Sequence, residues 1–186
     1  MFKNLTIIKE GHETLRKVAE PVVLPFTSAD QEVITNIMNH LIKSQIPEIA
    51  DAEDIQPGVG LAAPQINVSK RMFCIRTYDY NDRLHSFSFV NPEIIEKSDD
   101  LIFLPDGEGC LSVPRSTEGI VPRHSIIKVK TKLFDNEKMT LRSVTMQLSG
   151  YMAIIFQHEF DHLNGILFVD KLTETIPENA TSLFEE

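Results

Sequence analysis

The chain has 186 residues, 42% hydrophobic and 24% charged, a length and composition suited to one soluble domain spanning 1–186. Its formal net charge of −9 argues against a nucleic-acid or anionic-membrane binder, and no apolar run reaches the length of a membrane span. The start, Met1-Phe2-Lys3-Asn4-Leu5-Thr6, lacks the features of a secretory signal, so the expected location is the cytoplasm.

In chain order, a first helix is expected over 28–46. Ser28 and Gln31 fit a capping box, in which each side chain satisfies a free backbone N–H at the helix start. Val33, Ile34, Ile37, Met38, Leu41 and Ile42 follow at helical spacing, and Pro47 is read as the end of the segment. Strands are expected at Arg71–Thr77 and Leu84–Val90, where β-branched and aromatic residues concentrate. Ile126–Phe134 and Met139–Thr145 flank the polar turn Asp135-Asn136-Glu137 and suggest a hairpin. A second helix is expected from about Leu148 to Asn164, with Gly165 as its stop. Residues 171–186 are polar and acidic and are expected to fray as a mobile tail. The pattern is α+β: an N-terminal helix and mixed or antiparallel sheets around a central metal-binding helix.

The strongest local signal is His158-Glu159-Phe160-Asp161-His162. Residues four apart on a helix share a face, so two imidazoles can grip one metal ion while Glu159 projects towards a bound water. The metal lowers the pKa of that water, and the carboxylate takes its proton. A chain of this length with 6 histidines would show the pattern by chance about two times in a hundred. Tyr151, Ile154 and Ile155 lie on the same face by steps of three and four, which makes an apolar wall leading to the two histidines.

A hydrolytic metal site needs a third protein ligand and one open position. A third histidine six residues on is excluded, because Phe168 stands there. Glu174 and Glu178 are available, but Pro177 interrupts the segment. Cys110, in Glu108-Gly109-Cys110-Leu111-Ser112-Val113-Pro114, is the better candidate, with small Gly109 letting backbone approach the metal. Cys74, within Met72-Phe73-Cys74-Ile75, reads as a small core residue. Gly58-Val59-Gly60-Leu61-Ala62-Ala63-Pro64-Gln65 is no phosphate loop, since no Gly-Lys-Ser/Thr follows; by itself it reads as a tight turn into a strand, with Gln65 offering an amide donor.

Together these three segments resemble the peptide deformylase family. Its motifs run in this order: a Gly-rich stretch closing on glutamine, Glu-Gly-Cys-Leu-Ser, and a His-Glu pair closing on Asp-His. Here they stand at Gly58–Gln65, Glu108–Ser112 and Gln157–His162. Weaker similarity runs from Gly11-His12 and Leu15-Arg16 through Asp170. The run Asn67-Val68-Ser69-Lys70-Arg71 is similar to the longer bacterial subtype common in Gram-positive lineages. Glu13 departs from the family's frequent proline, and the acidic tail departs from relatives with a basic C-terminal helix.

The resemblance implies removal of the N-formyl group from the starting methionine of new proteins. It makes Cys110, His158 and His162 the metal ligands and Glu159 the general base and acid. Gln65 and the backbone N–H of Leu111 would hold the developing oxyanion. Gly60 would bond the substrate backbone, with Gly109 near the formyl carbon and Val59, Tyr151, Ile154 and Ile155 lining the methionine pocket. The implied cofactor is one Fe(II) per chain, replaceable by zinc, nickel or cobalt, although ligand softness alone suggests zinc. Metal-bound hydroxide would attack the formyl carbon. The implied partners are N-formyl-methionyl nascent peptides and, transiently, the ribosome, met by a monomer. The alternative is a metallopeptidase of the His-Glu-x-x-His type.

Overall fold

A computed structural model describes residues 5–79 and 81–184. Its helices are α1 (Ser28–Ser44), α2 (Pro47–Glu53) and α3 (Gly150–His162). The strands are β1 (Gly60–Ala62), β2 (Met72–Tyr78), β3 (Leu84–Lys97), β4 (Leu101–Phe103), β5 (Arg123–His124), β6 (Ile126–Asp135), β7 (Thr140–Ser149) and β8 (Ala180–Ser182).

Strands β1-β2-β3-β6-β7 form an antiparallel sheet in that order. Strand alternation decides what each face meets. In β2, Phe73 and Ile75 point to the side of α3, where they join Phe89, Ile127, Val129, Ala153 and Phe156 in one core cluster. Phe156 of α3 stands edge-on to both Phe73 and Phe89 at 5.1 Å between ring centres. Met72 and Cys74 point the other way and pack with Ile34, Ile37, Met38 and Leu41 of α1. The sheet is therefore covered by α1 on one face and by α3 on the other. A second sheet, β5-β4-β8, lies beside it, with β4 antiparallel to β5 and parallel to β8. This is the expected α+β architecture.

Several element boundaries differ from those expected. The cap of α1 is Thr27, one residue earlier than Ser28: its hydroxyl accepts from Asp30 N–H, and the Asp30 carboxylate accepts from Thr27 N–H. Pro47 does not close the first helical segment but opens α2, because a proline in the first helical turn sacrifices no intrahelical bond. Leu148 belongs to β7, paired with Ile127, and Gly150 at φ 59° marks the turn into α3. The tail is not uniformly frayed: Ala180–Ser182 pairs with Leu101–Phe103, and Leu183 N–H donates to Phe103 O at 2.9 Å. Residues 185–186 lie outside the described part.

Gly165, expected as the stop of α3, has φ 72°, and a Cβ there would fall 2.7 Å from the Arg16 backbone. The site requires glycine on both counts. It lets the chain leave α3 against the N-terminal segment, where Ala19 N–H donates to Leu163 O.

Candidate metal centre

α3 carries His158 and His162 one turn apart, with ring centres 5.1 Å apart. The Glu108–Ser112 loop brings Cys110 to them. Its Sγ lies 3.3 Å from His162 Nε2, and one ligand atom from each of the three residues falls within 4.8 Å of the others. The donor set, two imidazoles and a thiol, suits a borderline transition-metal ion. The residues fit a metal.

The side chains behind these donors are tightly bonded. His158 Nδ1 meets Glu108 Oε2 at 2.7 Å, which makes Nδ1 the donor to the carboxylate and leaves Nε2 for a ligand. Arg123 donates to both oxygens of Glu108 at 2.7 and 2.8 Å, and to Asp161 Oδ2 at 2.6 Å. Lys171 donates to Asp161 Oδ1 at 2.7 Å. Arg123, Glu108 and Asp161 are all buried, so their charges need one another. Burial opposes ionisation of Glu108, but the bonds and charge of Arg123 outweigh it and hold the carboxyl down at about 2. Burial likewise opposes a charge on His158, yet Cys110 and Glu108 raise its pKa to about 10. His162 has no such carboxylate, so burial and the nearby His158 and Arg123 charges keep it neutral. Its Nδ1 is buried without a hydrogen-bond partner.

Glu159 is buried beside this group. Burial, chiefly, lifts its carboxyl to about 7, and its Oε2 has no hydrogen-bond partner. A Cβ on Gly60 would fall 2.4 Å from Glu159 Oε1, so β1 accepts the carboxylate only because residue 60 has no side chain. Gln65 is fixed by its own oxygen: Oε1 accepts from Ala62 N–H at 2.8 Å, turning Nε2 towards Cys110 Sγ (3.5 Å) and Ser112 Oγ (3.3 Å).

A cavity of about 710 Å³ opens over these groups. Val59, Gly60, Gln65, Gly109, Cys110, Leu111, Tyr151, Ile154, Ile155, His158 and Glu159 all line it, which brings the three sequence segments to one place. His162 stands behind this lining, within reach of Cys110. Gly109 lines the cavity, and no atom lies within 4 Å of a Cβ built on it, so the space beside it is part of the cavity. The outer wall, Gln45 just after α1, Pro47, Ala50 and Asp51 of α2, and Ile55 beyond it, had no signal in the sequence. Sequence reasoning also passed over Glu108 and Asp161, although both lie inside quoted motifs, and Arg123, which has no local signature.

Three atoms placed to hold a metal ion, a buried carboxyl raised above its ordinary range and an apolar cleft point to the class of metal-dependent hydrolases. Comparison with known proteins narrows that class. The polypeptide deformylase family profile matches residues 4–177. Peptide deformylase 2 of Geobacillus stearothermophilus is 48% identical over 171 residues, covering 92% of this chain and 90% of that one. Peptide deformylase 2 of Bacillus subtilis is 41% identical, covering 95% and 96%. Among solved structures, the Met-Ala-Ser-bound class I type b peptide deformylase of Acinetobacter baumannii is 31% identical with a TM-score of 0.70, covering 92% and 100%. The Thermotoga maritima peptide deformylase is 34% identical with a TM-score of 0.66. The chain belongs to the polypeptide deformylase family. It is a hydrolase of the formyl amide at the N-terminus of new proteins, and the metallopeptidase alternative is not favoured.

Proposed function

We propose that Cys110, His158 and His162 hold one Fe(II) ion, that Glu159 moves the protons of the reaction, and that Gln65 and Leu111 stabilise the oxyanion. The observation that carries this reading is the buried Glu159 carboxyl, pushed up to about 7 with Oε2 unpartnered, against a cluster of three ligand atoms. When bound, the ion supplies Lewis-acid activation of water and of the formyl carbonyl. Zinc, nickel or cobalt would occupy the same donors. Glu159 accepts a proton from the attacking water and returns it to the amine nitrogen as the C–N bond breaks, giving formate and a free N-terminus. A buried carboxyl whose charged form burial disfavours can do both.

The Gln65 amide and the Leu111 N–H meet the negative charge on the former formyl oxygen. Such donors are worth most in the transition state, where that charge develops. Gly60 bonds the substrate backbone, and Val59, Gly109, Tyr151, Ile154 and Ile155 surround the formyl-methionyl group. The A. baumannii relative with Met-Ala-Ser bound supports a short peptide beginning with methionine as the product here. The enzyme works as a cytoplasmic monomer in brief contact with the ribosome and without nucleic-acid binding. A net charge of −9, which keeps copies apart and repels RNA, supports the monomer and the absence of nucleic-acid binding; no described helix is long and apolar enough to cross a membrane; the ribosome contact rests on the family likeness alone.

The test is Glu159→Gln, with metal content and rate measured on the same anaerobically purified sample. The variant keeps its metal and loses about 10²–10⁴-fold in kcat. A variant that arrives metal-free or stays active refutes the role. Metal analysis of the wild type under the same conditions checks iron.

A further inference from the structure

The segment Ile8–Glu10 precedes all three motifs and belongs to no helix or strand. It is nevertheless bonded to two of them. Ile8 N–H donates to Gln65 O at 2.8 Å, and Glu10 N–H donates to Ser112 O at 2.7 Å. Between them, Lys9 Nζ donates to Leu111 O at 2.8 Å, across 102 residues of sequence. Ile7 packs against the α1-side core and Ile8 against the separate cluster around Leu15 and Val113. The segment therefore crosses from one body of packing to another while holding the backbones of Gln65, Leu111 and Ser112.

We propose that residues 8–10 form a strap that sets the separation and aim of the two oxyanion donors, with Lys9 as its positioning residue. The proposal rests on the assignment of Gln65 and Leu111 made above.

Each peptide unit is one rigid plane that holds the C=O of a residue and the N–H of the next, so the Leu111 N–H turns with Cys110 O and pivots at Leu111 Cα, where the following plane begins. Three carbonyls in succession are held in the Cys110–Ser112 loop. Cys110 O accepts from Val113 N–H at 2.9 Å, Leu111 O from Lys9, and Ser112 O from Glu10 N–H. Val113 thus holds the plane that carries the Leu111 N–H, and Lys9 secures the next plane, Leu111 C=O with Ser112 N–H, which anchors the Leu111 Cα from the other side in a loop with little regular pairing of its own. On the other half, the Ile8 bond holds the Gln65 backbone, and Ser112 Oγ meets the Gln65 amide directly at 3.3 Å. Lys9 is an exposed residue. Burial does not force its tip onto the loop, and the bond is a charge-assisted one to a defined acceptor.

Lys9→Met keeps the stem and removes the donor, while Lys9→Arg keeps a cation. On metal-loaded enzyme with a formyl-Met-Ala-Ser peptide, Lys9→Met lowers kcat about three- to tenfold, the equivalent of one hydrogen bond. KM and metal content stay as in the wild type, because the lost interaction is felt only in the transition state. The melting temperature moves by less than about 2 °C. Lys9→Arg recovers most of the rate, and Lys17→Met, which removes an exposed pair with Glu13, changes nothing. The double variant Lys9→Met, Gln65→Ala loses less than the sum of the two single losses, because both act on one oxyanion site. A wild-type kcat in Lys9→Met, a loss carried by KM or by metal, or strict additivity with Gln65→Ala overturns the strap while leaving the oxyanion assignment standing. An unchanged kcat in Gln65→Ala instead refutes that assignment and the strap with it.

Discussion

Cys74 and Cys110 are the chain's two cysteines, and their surroundings are opposite. Cys74 sits in β2 between the sheet and α1, fully buried, with its thiol against Ile34 O and Ser88 Oγ. Burial pushes its pKa up to about 12, so it stays a thiol. Cys110 sits in a loop, half-buried, with His162 Nε2 at 3.3 Å and the Gln65 amide at 3.5 Å. Regular secondary structure around Cys74 satisfies the backbone internally and surrounds the side chain with hydrocarbon. Around Cys110 the chain leaves its ladders, and polar groups from four distant segments converge because charges further back hold them. Reactivity follows from what a buried atom faces, and less from how deeply it is buried.

The largest expected effect tests the polar side of this contrast. Cys110→Ser should lower the metal bound per chain and reduce activity by roughly a hundredfold or more, since even the outer partners of a ligand are worth 10–100-fold. Metal analysis and kcat/KM on one preparation check it, and full occupancy in the variant would remove Cys110 from the ligand set. Next comes Arg123→Met, which leaves Glu108 and Asp161 buried without their shared cation. Unfolding in urea should show a loss of about 3–5 kcal/mol. A loss below about 1 kcal/mol would mean that the charges behind Cys110 do not hold the site.

The apolar side has its own charged boundary, where Asp30 caps α1 and pairs with Lys70. Asp30→Asn should cost about 1–2 kcal/mol at neutral pH. Burial works against the Asp30 carboxylate, but its bonds to Lys70 and Thr27 prevail and lower the folded pKa below the ordinary 3.8. The wild-type advantage is therefore complete above that value and disappears as pH falls through the folded pKa. Urea midpoints for both proteins between pH 7 and pH 3 should converge at the acid end. A constant gap would assign the cost to packing. The smallest effect is expected from Cys74→Ser, within about 1 kcal/mol and with metal and rate unchanged, because Ser88 Oγ remains as a partner for the new hydroxyl. Equal losses at the two cysteines would erase the comparison.

How much of this could be read from the chain depended on the range over which each feature is specified. The faces of α1 and α3 are local patterns, and so is the pairing of His158 with His162. The cap of α1 was ambiguous: Thr27 with Asp30 and Ser28 with Gln31 offer the same chemistry one residue apart, and the pairing of the buried Asp30 carboxylate with Lys70 favours the first. The join of β7 to α3 was hidden because Met146, Leu148 and Met152 keep one apolar character through a change of period. α2 was masked by reading Pro47 only as a stop. The convergence of Gln65, Cys110 and Glu159 entered through a family likeness, whereas Arg123 depends on partners at 108 and 161 that no local pattern joins.

The parallel pairing of β8 with β4 gives the end of the chain a protective duty. With β5 on one side and β8 on the other, β4 is the middle strand of its small sheet. Removal of Ala180–Ser182 would leave Leu101–Phe103 with a bare row of backbone donors and acceptors, beside the buried side chains of Ile102 and Phe103. Such an edge is a template for another strand, so shortened copies would tend to self-associate through it.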